Sequence, residues 1–205
     1  MSAAPGGIGP RARTRWRLLS RVAAVALSLP VSLSAQTRRD APLGHGVHSF
    51  VDEETYAVQG RSFREAYAQI QAEGPADSAG RRKHGLTSYE LEPSWQFVES
   101  RRACRMRVVS IVARVRVRLP DWTEAESSDA ASKAAWDAYI TELRKHEHTH
   151  RDYVLEAASA LFDELQGLNA ARCDDLRSDA STRTARAYRA LQERQAALDA
   201  GEAGR

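Results

Sequence analysis

From Trp136 to Leu165 apolar residues recur at steps of three and four: Trp136, Tyr139, Ile140 and Leu143, then Val154, Ala157, Leu161 and Leu165. Only a helix gathers such positions on one face. A stripe this long commits the chain to a single long helix, predicted over 134–165 and closed by Gly167 and Asn169. In its middle the stripe is interrupted by His146, Glu147 and His150, the H-E-x-x-H of Lys145-His146-Glu147-His148-Thr149-His150-Arg151. The fold must therefore bury, or half-bury, three polar groups on the same face as its core residues.

Helical residues four apart share a face, with Cβ atoms about 5–6 Å apart. His146 and His150 can thus aim ring nitrogens at one metal ion, and zinc, at about 2.0–2.1 Å from such nitrogens, suits the spacing. Glu147 then lies beside the ion, where it can take a proton from water. A buried carboxylate between two imidazoles is costly unless a cation compensates it. The alternative is a pair of histidines that hydrogen-bond within the core. His148 falls with Arg144, Arg151 and Asp152 on the opposite, polar side. A catalytic zinc takes three protein ligands, and the motif supplies two. Glu156 lies six residues after His150, about 9 Å further along a continuous helix, which puts it out of reach. Candidates from elsewhere are Asp174, Asp175, Asp199, Glu202, His45 and His84.

A chain of 205 residues, 42% hydrophobic, suffices for one domain with a good core. Residues 1–35 read as a signal peptide. Arg11, Arg13, Arg15, Arg17 and Arg21 precede the apolar run from Val22 to Leu33, and small residues Ser32, Ser34 and Ala35 follow. Pro30 breaks a run already short for a membrane span. Export to the periplasm or the medium is expected, with cleavage near Ala35-Gln36; an uncleaved anchor is the alternative. Without those residues, which hold five arginines and no acid, the formal net charge falls from +3 to −2. A basic protein would invite nucleic-acid binding; the mature chain does not. The two cysteines, Cys104 and Cys173, enter an oxidising compartment and are expected to pair as a disulfide, the alternative being two free thiols. They lack the C-x-x-C spacing of zinc ligands.

Along the mature chain, 36–49 reads as a flexible leader and 50–205 as a single domain. A strand is predicted over 50–59, and a capping box, Ser62 with Glu65, opens a short helix that Gly74-Pro75 ends. A loop over 75–85 follows, then a strand over 86–98 with Tyr89, Leu91, Trp95 and Phe97 on one parity. In the strand predicted over 103–119, Cys104, Met106 and Val108 are even while Val109 to Leu119 are apolar at odd positions. That switch calls for a bulge near Val108-Val109. Arg114, Arg116 and Arg118 are then left to water, and Pro120 is expected to stop the strand. A polar connection, 121–132, leads to the long helix, and a thinly apolar helix over 181–198 ends the domain. The fold class is α+β: a small antiparallel sheet packed with the H-E-x-x-H helix, a short N-terminal helix and a C-terminal helix.

The succession Tyr56-Ala57-Val58-Gln59-Gly60, the helix closed by Gly74-Pro75, the strand with Trp95, Cys104, Leu119-Pro120-Asp121-Trp122, then Trp136 ten residues before H-E-x-x-H, resembles the bacterial family of predicted secreted zinc-dependent proteases. The likeness covers roughly 50–175. It implies an exported α+β domain with zinc at His146 and His150 and Glu147 as catalytic base. The family's pattern also carries a Tyr-Asp, Thr and His-Gly element near its end that would furnish another ligand. Here the nearest stretch, Leu198-Asp199-Ala200-Gly201-Glu202-Ala203-Gly204, holds no histidine. The function expected is a zinc metallohydrolase, a peptidase acting on peptide or protein substrates, with no nucleic-acid partner and no stable membrane span. The competing expectation is a non-catalytic envelope protein whose metal site is structural or vestigial.

Overall fold

The computed structural model describes residues 44–203, so the expected signal peptide and most of the leader lie outside the described residues. The elements are β1 (Gly46–Val58), α1 (Phe63–Glu73), β2 (Leu86–Glu99), β3 (Cys104–Trp122), α2 (Ala130–Gln166), β4 (Asn169–Ala170) and α3 (Cys173–Ala203), with one 3-10 turn at Ala125–Ser127. The architecture is α+β. β3 is the central strand: β2 forms an antiparallel hairpin with it on one side, β1 runs parallel to it on the other, and β4 adds two residues near its start. The sheet is thus mixed, not antiparallel. The chain passes through α1 and the segment 74–85 between β1 and β2, so β3 folds back between two strands that were made before it.

The parity switch in β3 has its expected cause. Gln96 pairs with Val108 and Phe97 with Met106, so Arg107 is an extra residue and every later side chain changes face. Val109, Ile111, Ala113 and Val115 are buried against Val154, Ala158, Leu161 and Leu165 of α2, with Leu91, Ala180 and Leu191 completing the cluster. A second cluster joins Val58, Ala66, Ile70, Trp122, Ala125 and Trp136 around the first turns of α2. On the far face of the sheet, Arg114 pairs with Glu92 and lies over the Phe50 ring, and Arg118 approaches Glu54 and lies over Tyr56.

Several boundaries differ from expectation. β1 begins at Gly46, inside the stretch read as leader, and the side chain of His45 extends its ladder by accepting from the Val109 amide at 3.1 Å. Pro120 does not stop β3, which runs on to Trp122. β2 makes its last pair at Arg118, so beyond it β3 has an open side on which a residue without an N–H is tolerated. α2 starts at Ala130, because Asp129 caps it, accepting from the amides of Ala131 and Ser132 at 3.0 and 2.9 Å. At α1 the box is shifted: Ser62 accepts from the Glu65 amide, but the Glu65 carboxylate takes the amide of Arg61. α3 begins eight residues earlier than its thin stripe suggested, since Leu176 and Ala180 are also buried.

Cys104 and Cys173 are bonded, tying the start of β3 to the start of α3. Closing a loop with a sequence separation of 69 stabilises the fold by about 4 kcal/mol in the chain-entropy description. The variant with both cysteines replaced by serine should unfold at lower urea concentration, with a loss of about 2–4 kcal/mol. Alkylation of the unreduced protein, read by mass spectrometry, should find neither thiol free.

Candidate metal centre

α2 carries the site because its buried face changes character between the two core clusters. Trp136 belongs to one and Val154 to the other, and between them the buried residue is Glu147, only 4% exposed. Room for that carboxylate comes from Gly85. A Cβ there would lie 2.8 Å from Glu147 Oε1 and 2.9 Å from its Cγ, closer than any side chain can sit. Thr87, two residues on in β2, places its hydroxyl 2.8 Å from Glu147 Oε2 and 3.0 Å from the Glu147 carbonyl oxygen. Burial pushes the Glu147 carboxyl upward; Thr87, His150 and His146 work against that, and Asp199 reinforces it.

The segment before β2 is a built wall. Asp77 Oδ1 accepts from the amides of Ala79 and Arg81, both at 2.9 Å, Ala76 bridges to Arg82, and the Lys83 amide donates to Pro75. A Cβ on Gly74 would collide with the Lys83 carbonyl, so this return needs glycine at its base. It delivers Lys83, His84 and Gly85 to one side of a cavity of about 410 Å³ that His146, Glu147, His150, Gln195 and Asp199 also line.

α3 supplies the remaining side. His146 Nε2 and His150 Nε2 are 3.0 Å apart, and Asp199 Oδ1 lies 2.8 Å from His150 Nε2 and 3.5 Å from His146 Nε2. These three residues offer ligand atoms that all lie within 4.8 Å of one another, a set that could hold a metal ion. Gln195, one turn before Asp199 and so on the same face, brackets His150: its amide nitrogen donates to the His150 carbonyl at 3.1 Å and its oxygen receives the Nδ1 proton. With that proton on Nδ1, the lone pair of Nε2 faces Asp199 Oδ1, and two acceptors 2.8 Å apart require a positive charge between or beside them. Lys83 Nζ holds the other Asp199 oxygen at 2.9 Å. Burial works to raise the Asp199 carboxyl, but the Lys83 ammonium and His150 outweigh it and hold it below the usual range.

Of the other candidates, His84 lines the cavity without joining the cluster. His45 is bonded to the Val109 amide and lies against Phe162. Asp174 pairs with Arg177 and Glu156 with Arg194, and the side chain of Glu202 lies outside the described side chains. His148 faces β1, with Nε2 2.8 Å from Glu53. Gly85, Thr87, Lys83 and Gln195 escaped the sequence reading. The run Leu191, Gln195, Asp199 at steps of four was a usable signal for the last, with Leu191 buried and the two polar residues continuing its face.

Residues 53–205 match DUF922, a bacterial protein family of unknown function. The chain belongs to this family. The DUF922 match takes in every residue of the cluster and the wall that faces it. No curated protein and no solved structure matches the chain.

Asp199→Ala should weaken binding of a divalent metal severely, and Gln195→Ala by about 10–100-fold through loss of the bond that orients His150; titration against a chromophoric chelator measures both. Gly85→Ala should cost about 1–3 kcal/mol of stability by forcing Glu147 aside. Gly167→Ala, with nothing within 4 Å of the added carbon, should stay within about 0.5 kcal/mol. Urea denaturation compares the two.

Proposed function

We propose that this protein is an exported zinc-dependent hydrolase that cleaves peptide bonds. The observation that carries the reading is the buried Glu147 carboxylate beside the convergent His146, His150 and Asp199 in one open cavity. Two imidazoles with one carboxylate form a donor set used by catalytic zinc, and tetrahedral donors at its bond lengths lie about 3.4 Å apart. The separations of 2.8, 3.0 and 3.5 Å straddle that value. A site kept for structure alone has no use for a carboxylate in the place of Glu147. The Cys104–Cys173 bond fits an oxidising compartment, as export requires.

Zinc, when bound, polarises a carbonyl and lowers the pKa of water. Glu147 accepts one proton from water as the oxygen adds to the carbonyl carbon. It returns that proton to the departing nitrogen as the C–N bond breaks, so one water is consumed and an acid and an amine leave. Thr87 and the absent side chain at Gly85 keep the carboxylate in place for both transfers. Gln195 and Lys83 orient His150 and Asp199.

The untagged protein should contain one zinc per chain. His146→Ala and His150→Ala should lose it. Glu147→Gln should keep zinc while hydrolysis of a pool of fluorescence-quenched peptides falls by about 10²–10⁴-fold, the usual contribution of a positioned acid or base. His148→Ala should change neither. Elemental analysis that finds iron in place of zinc, or a Glu147→Gln variant as active as the parent, would sink the reading.

A further inference from the structure

Hydrolysis of a carbonyl compound also needs a donor for the oxygen on which charge accumulates, and most polar side chains around the cavity are already engaged. Lys83 is held by Asp199, Arg82 donates to the Gly74 carbonyl, Thr87 to Glu147, and Gln195 is committed to both sides of His150. His84 is different. It lines the cavity next to Gly85, the residue in contact with the Glu147 carboxylate, and neither of its ring nitrogens has a hydrogen-bond partner among the described residues. Its position is fixed by three tyrosines. Tyr56 donates to the His84 carbonyl at 2.6 Å, and the imidazole packs against the rings of Tyr67 and Tyr139 at 5.2 and 6.2 Å between centroids.

We propose that the His84 imidazole is the side-chain donor that holds the reacting carbonyl oxygen of a bound peptide, an inference that rests on the hydrolase reading above. Two rings against the imidazole and a hydroxyl on its backbone carbonyl are more than a surface loop residue needs, and they spare the ring the reorganisation that a free side chain would undergo on meeting a developing charge. Burial lowers the His84 pKa, which favours the neutral ring, with one N–H to donate. Burial also pushes the Tyr56 phenol up to about 12, with Arg118 opposing and Glu147 reinforcing, so the hydroxyl that pins the His84 carbonyl keeps its proton. Tyr89, another cavity residue whose donor has no hydrogen-bond partner among the described residues, lies two residues beyond Thr87, about 7 Å of strand along β2 from it.

The test uses the full-length, zinc-loaded protein and a library of phosphinic dipeptides with both side chains randomised, whose tetrahedral phosphinate imitates the hydrated carbonyl. The parent protein should bind members of the library. His84→Phe, which keeps the ring contacts with Tyr67 and Tyr139 but loses the donor, should bind them about 100-fold more weakly, the scale seen when one such donor is removed, with zinc content unchanged. His84→Ala should show the same loss, and His84→Gln, which restores an N–H, should recover part of it. Equal affinity in the parent, His84→Phe and His84→Ala, or a loss that falls on Tyr89→Phe instead, overturns the role given to His84 and leaves the hydrolase reading standing. A zinc-loaded parent that binds no phosphinic dipeptide overturns both.

Discussion

The structure depends on keeping one carboxylate out of water. Glu147 is buried in the middle of α2, and an isolated carboxylate in such a place carries a large desolvation cost. Asp199 adds to that cost, and the other neighbours lower it or make space for the group. Thr87 donates to one oxygen, Gly85 leaves a gap the size of a side chain, and two imidazoles stand on the same helical face. The apolar face of α2 is split into two clusters by this group, so the helix anchors the sheet at one end and α1 at the other while holding a polar interior between them.

α3 shows how a weakly apolar helix can still hold a position. Cys173 at its start is bonded to Cys104, and Leu176, Ala180 and Leu191 are buried. Past Leu191 its contacts are polar: Arg194 with Glu156 and the Tyr153 ring, Gln195 with His150, Asp199 with His150 and Lys83. Cys173 and Asp199 are 26 residues apart, about 39 Å of helix, so the covalent tie and the Asp199 carboxylate stand at opposite ends of one rod. A cation between Asp199 and the two histidines would join that free end to α2, so ion binding and the docking of α3 share the same contacts.

Local pattern carried much of this. The bulge in β3 was legible as a change of parity, because a strand buries alternate residues and cannot otherwise move its apolar set from even to odd positions. It occurs at Arg107, one residue before the place the pattern suggested. Pro120 misled, since proline stops a strand only where its missing donor has a neighbour to lose, and that depends on where β2 ends. The parallel pairing of β1 with β3 was likewise outside local pattern: both strands read the same whether neighbours run with or against them.

At the site the division is sharper. The sequence by itself determined that His146, Glu147 and His150 share a helical face with core residues, because helical periodicity ties spacing to direction without help from the rest of the chain. It also excluded Glu156, by the rise of a continuous helix. Only the tertiary structure decided that Asp199, from among six distant candidates, meets the histidines, that Gln195 orients one of them and that Gly85 makes room for Glu147. Those contacts join residues 45 or more positions apart. Across such distances a chain's own spacing says nothing about proximity. The register of α3 along α2, set by the disulfide at one end and Leu191 further along, brings Asp199 to the histidines.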